Sequence, residues 1–250
     1  MEKEDQFLLS HIEDQHRRCE DRNVPAYTGF LDLRQQSLAM DYCRSLDANP
    51  RFLGGYEDAE RRVCAFLPDY LDEDGFNAIA CVRVTTAASL PQPLTHRDYL
   101  GALMGMGIKR ETVGDILVRD DGADILVLSD MLDFLLTHFE KAGRARFSAQ
   151  PIGLHELIVP PVKTTTVRDT VPSLRPDCVL SSSFRLSRGN AGEYIDAGRV
   201  FVNGMQILKR DAKVSEGDKL VIRGKGKAVL KSVGGLSKKE RIFIELEIYH

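Results

Sequence analysis

The spacing of apolar residues divides this chain into stretches of different character. From Glu4 to Glu20 the apolar positions Leu8, Ile12 and Cys19 fall on one stripe with charges elsewhere, which predicts a helix. Arg34 to Leu46 reads as a second helix, stopped by Asn49-Pro50, and Arg62 to Leu67 reads as a strand ended by Pro68. Gly54-Gly55 marks a turn between them.

The next region alternates strand and helix patterns. Asn77 to Thr86 is an apolar, β-rich run, and Thr95 to Met106 carries Leu100, Leu103 and Met104 at helical spacing. Thr112 to Arg119 and Ala123 to Ser129 flank Asp121-Gly122, a hairpin signal. Asp130 to Lys141 places Leu132, Leu135, Leu136 and Phe139 on one helical face, with Gly143 as its expected stop, and a last strand is expected within Arg144 to Val159. The order β-α-β-β-α-β is the ferredoxin-like plan, which many RNA-binding domains share and which proves no function alone. After Pro160-Pro161, Lys163 to Val171 is rich in Thr and Val and has the composition of a strand rather than a loose linker. The fold class expected is α+β, with an N-terminal α+β region over residues 1–75, a ferredoxin-like domain over 76–160 and a smaller module over 173–250.

That last module reads as two short helices and a set of strands. Pro176-Asp177 opens the first helix, and Ser187 is a natural N-cap for the second, in which Ala191 and Ile195 face the core. Gly198 ends it; Val200 and Val202 share one strand face, and Asn203-Gly204 suits a turn with positive φ. Glu216-Gly217-Asp218 is another turn, leading into a strand from Lys219 to Arg223.

Charge changes this picture. Val171 to His250 holds 15 Lys+Arg against 9 Asp+Glu, a net of +6, whereas Met1 to Thr170 holds 19 against 28, a net of −9. The formal charge of −3 therefore hides a cationic module on an acidic body, and such asymmetry points first to nucleic acid. Arg223, Lys225 and Lys227 alternate with glycines that let backbone and cations approach phosphate closely, and Lys238, Lys239 and Arg241 add a second cluster.

Other chemistry finds little support. The five cysteines are scattered and never in a CxxC, which fits free thiols in a reducing cytosol and no zinc site. The six histidines form no HExxH, and His11 and His16 are wrongly spaced for one helical face. The start carries no apolar signal segment and no window approaches a membrane span, so a cytoplasmic protein is expected. His96-Arg97-Asp98 is shared with a kinase loop, but Leu103 stands where the metal-binding Asn belongs; a capping pair of Thr95 and Asp98 explains it better. Gly105-Met106-Gly107 meets Arg110 where a dinucleotide fingerprint needs glycine. The expected inner strands of the central domain lack the aromatics that a base-reading sheet uses. No metal, no cofactor and no enzymatic activity are expected.

The module from Ser173 onward resembles the S-four RNA-binding domain, named for the ribosomal protein in which it sits. The resemblance rests on Arg175, Asp177, Ser187-Arg188, Ala191, Ile195, Gly198, Val200, Val202-Asn203-Gly204 and Gly217-Asp218. Departures are Pro176, where the family usually has leucine, and Gly189 and Gly192 inside the second helix. The resemblance implies that Arg175, Arg185, Ser187, Arg188, Asn203, Lys209 and Arg210 face RNA, and Arg223, Lys225, Lys227, Lys238, Lys239 and Arg241 would extend that surface. Along the rest of the chain, Phe30-Leu31-Asp32, Gly54-Gly55, Glu60-Arg61, His96-Arg97-Asp98, Leu100-Gly101, Gly107, Arg110 and Gly114-Asp115-Ile116 are similar to the YlmH family of bacterial S-four proteins, with Leu33 replacing a usual proline. That resemblance implies binding of ribosomal RNA and transfer RNA on the large ribosomal subunit, in rescue of stalled translation. It leaves open an alternative: a cell-division-associated factor that works through protein contacts and binds RNA incidentally.

Overall fold

The computed structural model describes residues 3–86, 94–143, 145–161 and 163–249; Arg144, the first residue of the stretch in which the last central strand is expected, lies outside them. The chain forms two compact units, residues 1–160 and 161–250.

The first unit opens with α1 (Lys3–Arg22), β1 (Ala26–Leu31), α2 (Leu33–Ser45), β2 (Arg51–Leu53) and β3 (Arg62–Phe66). Its strands form an antiparallel sheet in the order β1-β3-β2. Ile12 and Cys19 of α1 are buried against Ala26, Cys43, Cys64 and Phe66, so the helical stripe in the sequence is the packed face. Asp32 caps α2 by accepting from the Gln35 amide at 2.9 Å, while the Gln35 side chain accepts from the Asp32 amide at 2.9 Å. Strands β1 and β2 had no expectation in the sequence: β1 is short and apolar without strict alternation, and β2 is three residues long.

A five-stranded sheet follows: β4 (Ile79–Thr86), α3 (His96–Gly105), β5 (Val113–Arg119), β6 (Gly122–Leu128), α4 (Leu132–His138), β7 (Lys141–Ala142) and β8 (Ala145–Ile152). The strand order is β5-β6-β4-β8-β7, and every pairing is antiparallel. This is the expected ferredoxin-like plan with a short edge strand added. All seven residues of β6 are buried, with Leu103 and Leu135 from the two helices packed in the same core as Val82, Val84 and Ile125. One element differs from expectation. Helix α4 ends before Phe139, whose ring turns into the core, and Gly143 (φ +57°) shapes the β7–β8 connection instead of stopping a helix. The expected division near residue 75 is also absent. Phe30, Val63 and Ala65 share one apolar cluster with Ile79, Leu117, Leu126 and Leu128, which fuses both regions into one packed body.

The second unit holds β9 (Thr164–Val171), α5 (Pro176–Phe184), α6 (Arg188–Asp196), β10 (Val200–Val202), β11 (Met205–Gln206), β12 (Lys219–Ile222), β13 (Gly226–Leu236) and β14 (Ile242–Tyr249). Its sheet runs β11-β10-β12-β13-β14-β9. The unit therefore starts at 161 and not at 173: β9 pairs with β14 over eight residues, Thr164↔Tyr249 to Val171↔Ile242. Val179, Leu180, Ala191 and Ile195 from the helices pack with Leu220, Ile222, Leu230 and Leu246 of the sheet. Each fully buried aliphatic side chain of this core stabilises the unit by roughly 1.5–3 kcal/mol.

Candidate nucleic-acid interface

The basic face is built around the junction of α5 and α6. Pro176 sits in the first turn of α5, where its missing N–H costs nothing, so this departure from the family pattern is accommodated. Arg185 closes α5 in the left-handed region (φ 51°), which turns the chain sharply toward Ser187. Ser187 caps α6 by accepting from the Asn190 amide at 3.1 Å. The two helices thus lie next to each other with only Arg185, Leu186 and Ser187 between them.

Asp177 organises the cations of this junction. Its carboxylate is buried and accepts from Arg175 Nε at 3.1 Å and from Arg188 at 3.0 Å. Burial alone would raise the carboxyl pKa; the hydrogen bonds from Arg188 and Arg175 outweigh it and hold Asp177 below the usual carboxylate range. The chain thereby fixes two half-exposed guanidinium groups with one carboxylate, leaving a net positive edge. An open groove of about 310 Å³ lies alongside, lined by Asp169, Thr170, Cys178, Ser182 and the three arginines Arg185, Arg188 and Arg241. Arg241 is anchored there by its Nε donating to Thr170 Oγ1 at 3.0 Å and by a second bond to the Thr170 carbonyl. Arg185 is exposed, and among the described residues its guanidinium has no hydrogen-bond or ion-pair partner.

The other expected contacts fall into three groups. Asn203 and Ser187 are engaged locally. Asn203 (φ 49°) donates to Asp218 at 2.8 Å and accepts from the Lys219 amide at 2.9 Å, so its amide braces the β10–β11 turn against the β12 start. Arg210, Arg223 and Lys227 are held but exposed on one side: Arg210 pairs with Asp196, Arg223 lies 4.4 Å over the Phe201 ring, and Lys227 lies 4.5 Å over Tyr249. Lys209, Lys225, Lys238 and Lys239 are exposed and, among the described residues, without an ion-pair partner. Arg241 and Arg185 meet in one groove; Lys238 and Lys239 sit apart from it, in the β13–β14 turn.

The two glycines inside α6 separate into different roles. A Cβ on Gly192 would lie 2.4 Å from the Arg210 guanidinium, so glycine makes room for the Arg210–Asp196 pair. A Cβ on Gly189 would touch only the Ser187 hydroxyl, at 3.8 Å. The sequence reading missed Arg199, which lies 5.0 Å over Tyr194 and donates to the Arg223 carbonyl at 2.7 Å. Its signal was the cation between Gly198 and a strand whose partner strand, β12, is followed directly by Arg223.

Cations of the first unit are used differently. Asp124 is 0 % exposed and accepts from Arg83 at 2.8 and 2.7 Å, from Arg119, and from the Ile158 amide at 3.1 Å. Arg61 spends its guanidinium on the carbonyls of Val113 and Phe30, at 3.0 and 2.7 Å. His96 and Arg97 are exposed at the start of α3, where Asp98 accepts from the Thr95 amide and hydroxyl, each at 2.7 Å; this is the capping pair expected from sequence. All five cysteines are buried and free of disulfides. Among the described residues no cluster of His, Cys, Asp and Glu has the makings of a metal site, and no helix is long and apolar enough to cross a membrane.

A ferredoxin-like sheet followed in the chain by a helix pair that carries arginines suits the class of RNA-binding proteins, and comparison with known proteins supports that class. Residues 79–156, the five-stranded sheet with its helices, match the family model described as "Putative RNA-binding domain in YlmH". The chain is 32% identical over 247 residues to ribosome-associated protein quality control protein P2 of Bacillus subtilis (strain 168), covering 98% of this chain and 95% of that protein. It also aligns with the solved structure of cell division protein ylmH from Streptococcus pneumoniae, at 24% identity and a TM-score of 0.51, covering 63% of this chain and 96% of that one; this likeness shows the fold alone. The chain belongs to the YlmH family.

Proposed function

We propose that this protein is a non-catalytic RNA-binding factor that engages ribosomal RNA and transfer RNA on the large ribosomal subunit and acts in rescue of stalled translation. The C-terminal unit supplies the phosphate contacts. One observation carries this reading: Arg185, Arg188 and Arg241 converge on a single open groove, and Arg185 has no partner within the described structure. A guanidinium left unpaired beside two anchored ones is arranged for a bidentate anion such as a phosphate. The name of the Bacillus relative supports a ribosomal setting for that RNA. The acidic first unit discourages indiscriminate nucleic-acid binding and leaves its surface for protein.

The test is cosedimentation with ribosomal particles on a sucrose gradient, using the wild type and an Arg185→Glu, Lys209→Glu double variant. These two side chains have no internal partner to lose, so the fold is preserved. Wild-type comigration with large subunits that disappears in the variant is the expected result. Wild type found only at the top of the gradient overturns the ribosomal assignment.

A further inference from the structure

The second unit carries five aromatic residues, and four of their rings are accounted for. Phe184 and Tyr194 pack against the apolar core, and Arg199 lies over the Tyr194 ring. Arg223 covers Phe201, and Lys227 covers Tyr249. Phe243 is the exception. It is 50 % exposed on the solvent face of β14, opposite to the face on which Ile244 and Leu246 meet the core.

The backbone around Phe243 keeps its ring bare. The β13–β14 register passes from Val233↔Ile244 to Leu236↔Ile242, so Gly234 and Gly235 together stand opposite Phe243. On the other side its partner is Thr170 of β9, whose hydroxyl already accepts from Arg241. A large aromatic in a sheet ordinarily packs on a cross-strand side chain. Here one neighbour is a glycine pair and the other a small residue. A Cβ added at Gly234 would lie 3.2 Å from the Phe243 Cβ, so the two strands run close there, yet half of the Phe243 surface stays open. A Cβ on Gly235 would meet nothing within 4 Å, so the bulge is open at that residue.

The surroundings say what that space suits. Farther along the same face the charges are paired, Arg168 with Glu245 at 2.7 Å and Lys231 with Glu247 at 3.3 Å. Toward the hairpin tip, Lys238 and Lys239 are exposed and, among the described residues, unpaired; Arg241 is two residues before Phe243. A bare ring on a strand that leads from two free lysines and an anchored arginine complements a flat, electron-rich group attached to phosphates. That is an unpaired nucleotide, since every base offers a π-face and stacking on protein aromatics tolerates any sequence.

We infer that Phe243 and the Gly234–Gly235 bulge form a stacking platform for one unpaired base of the bound RNA, with Lys238, Lys239 and Arg241 taking the adjoining phosphates. This rests on the RNA-binding reading above and adds a preference for unpaired over duplex RNA. It places stacking on one residue of a hairpin, outside the inner strands of the ferredoxin-like sheet, which lack the aromatics for it.

The full chain is titrated, at low salt, with a short single-stranded RNA carrying 2-aminopurine and with a blunt RNA duplex of equal phosphate count. Wild type is expected to bind the single strand more tightly and to quench its fluorescence by stacking. Phe243→Leu keeps the apolar bulk but loses the ring; it is expected to bind the single strand roughly 5- to 100-fold more weakly with duplex binding unchanged. Phe243→Tyr is expected to retain both behaviours. If Phe243→Leu matches wild type on the single strand, or loses equally on both RNAs, the platform is wrong while RNA binding stands. If wild type binds neither RNA, the RNA-binding reading falls and the platform with it.

Discussion

Asp177, buried at the start of α5, accepts a hydrogen bond at 3.0 Å from Arg188, the first residue of α6, and so fixes the angle at which the basic face is presented. The pair makes charge changes on this face unequal. Arg188→Glu places a carboxylate against a buried carboxylate, whereas Arg185→Glu disturbs no internal partner. Urea midpoints are expected to rank Arg185→Glu with wild type, Asp177→Asn about 1 kcal/mol lower because its partners are half exposed, and Arg188→Glu lower still. Equal midpoints for Arg185→Glu and Arg188→Glu would contradict this role for Asp177.

Asp124 carries a larger load in the first unit. It is fully buried between Arg83 and Arg119, and the hydrogen bond it accepts from the Ile158 amide ties the segment after β8 to the sheet. Burial pushes its pKa up, but the bonds from Arg83, the Ile158 amide and Arg119 bring it below the usual carboxylate range. A depressed folded pKa means stability that is complete above about pH 4 and is lost as pH falls through the folded value. Asp124→Asn is expected to cost about 3–5 kcal/mol at pH 7. The gap to wild type should narrow in urea titrations below about pH 4, and a constant gap would argue against an ionised Asp124.

The α6 glycines predict unequal outcomes. Gly189→Ala makes only an ordinary contact with the Ser187 hydroxyl and is expected to raise stability by about 0.5–1 kcal/mol through helix propensity. Gly192→Ala gains the same propensity but displaces Arg210 from Asp196, so its net effect on the melting temperature should be smaller. Thermal melts of the two variants decide this.

At Gly122 the obstacle is backbone. A Cβ there would lie 1.9 Å from the Val84 carbonyl oxygen, across the central β4–β6 pairing. Gly122→Ala must open that pairing and is expected to destabilise the protein by about 3 kcal/mol or more, read as a lowered urea midpoint.

Salt dependence tests the electrostatic account directly. If about 6 phosphates are neutralised, RNA affinity falls about a thousandfold between 50 and 200 mM salt. Fluorescence anisotropy across that range measures the slope, and a flat response would remove the phosphate contacts from the picture.

The sequence made some features legible and hid others for identifiable reasons. Periodicity located α1, α3, β4 and β6 because each buries one regular stripe or an entire apolar run. Ser187, Gly198 and Asn203-Gly204 showed the ends of α6 and the β10–β11 turn because their chemistry is local. Strand β2 stayed hidden because three residues carry no period, and α4 was drawn too long because Phe139 satisfies a helical pattern while turning inward. At the site, residue type revealed which groups are cationic but not which are already held. That Arg210 answers to Asp196 and Arg188 to Asp177, while Arg185 answers to neither, depends on pairs 11 to 14 residues apart and on the fold that closes them.

The pairing of β9 with β14 also sets the order in which the second unit matures during synthesis. β9 is the first of its strands to leave the ribosome, and β14, the strand between β9 and β13, is the last. For the whole interval β9 has no sheet neighbour of its own, and β13, paired with β12 on one edge, lacks its neighbour on the other. The sheet closes only when β14 slots between them, a long-range step that makes the appearance of the finished basic face late and abrupt. A nascent copy thus lacks its assembled basic face until nearly the whole unit has emerged.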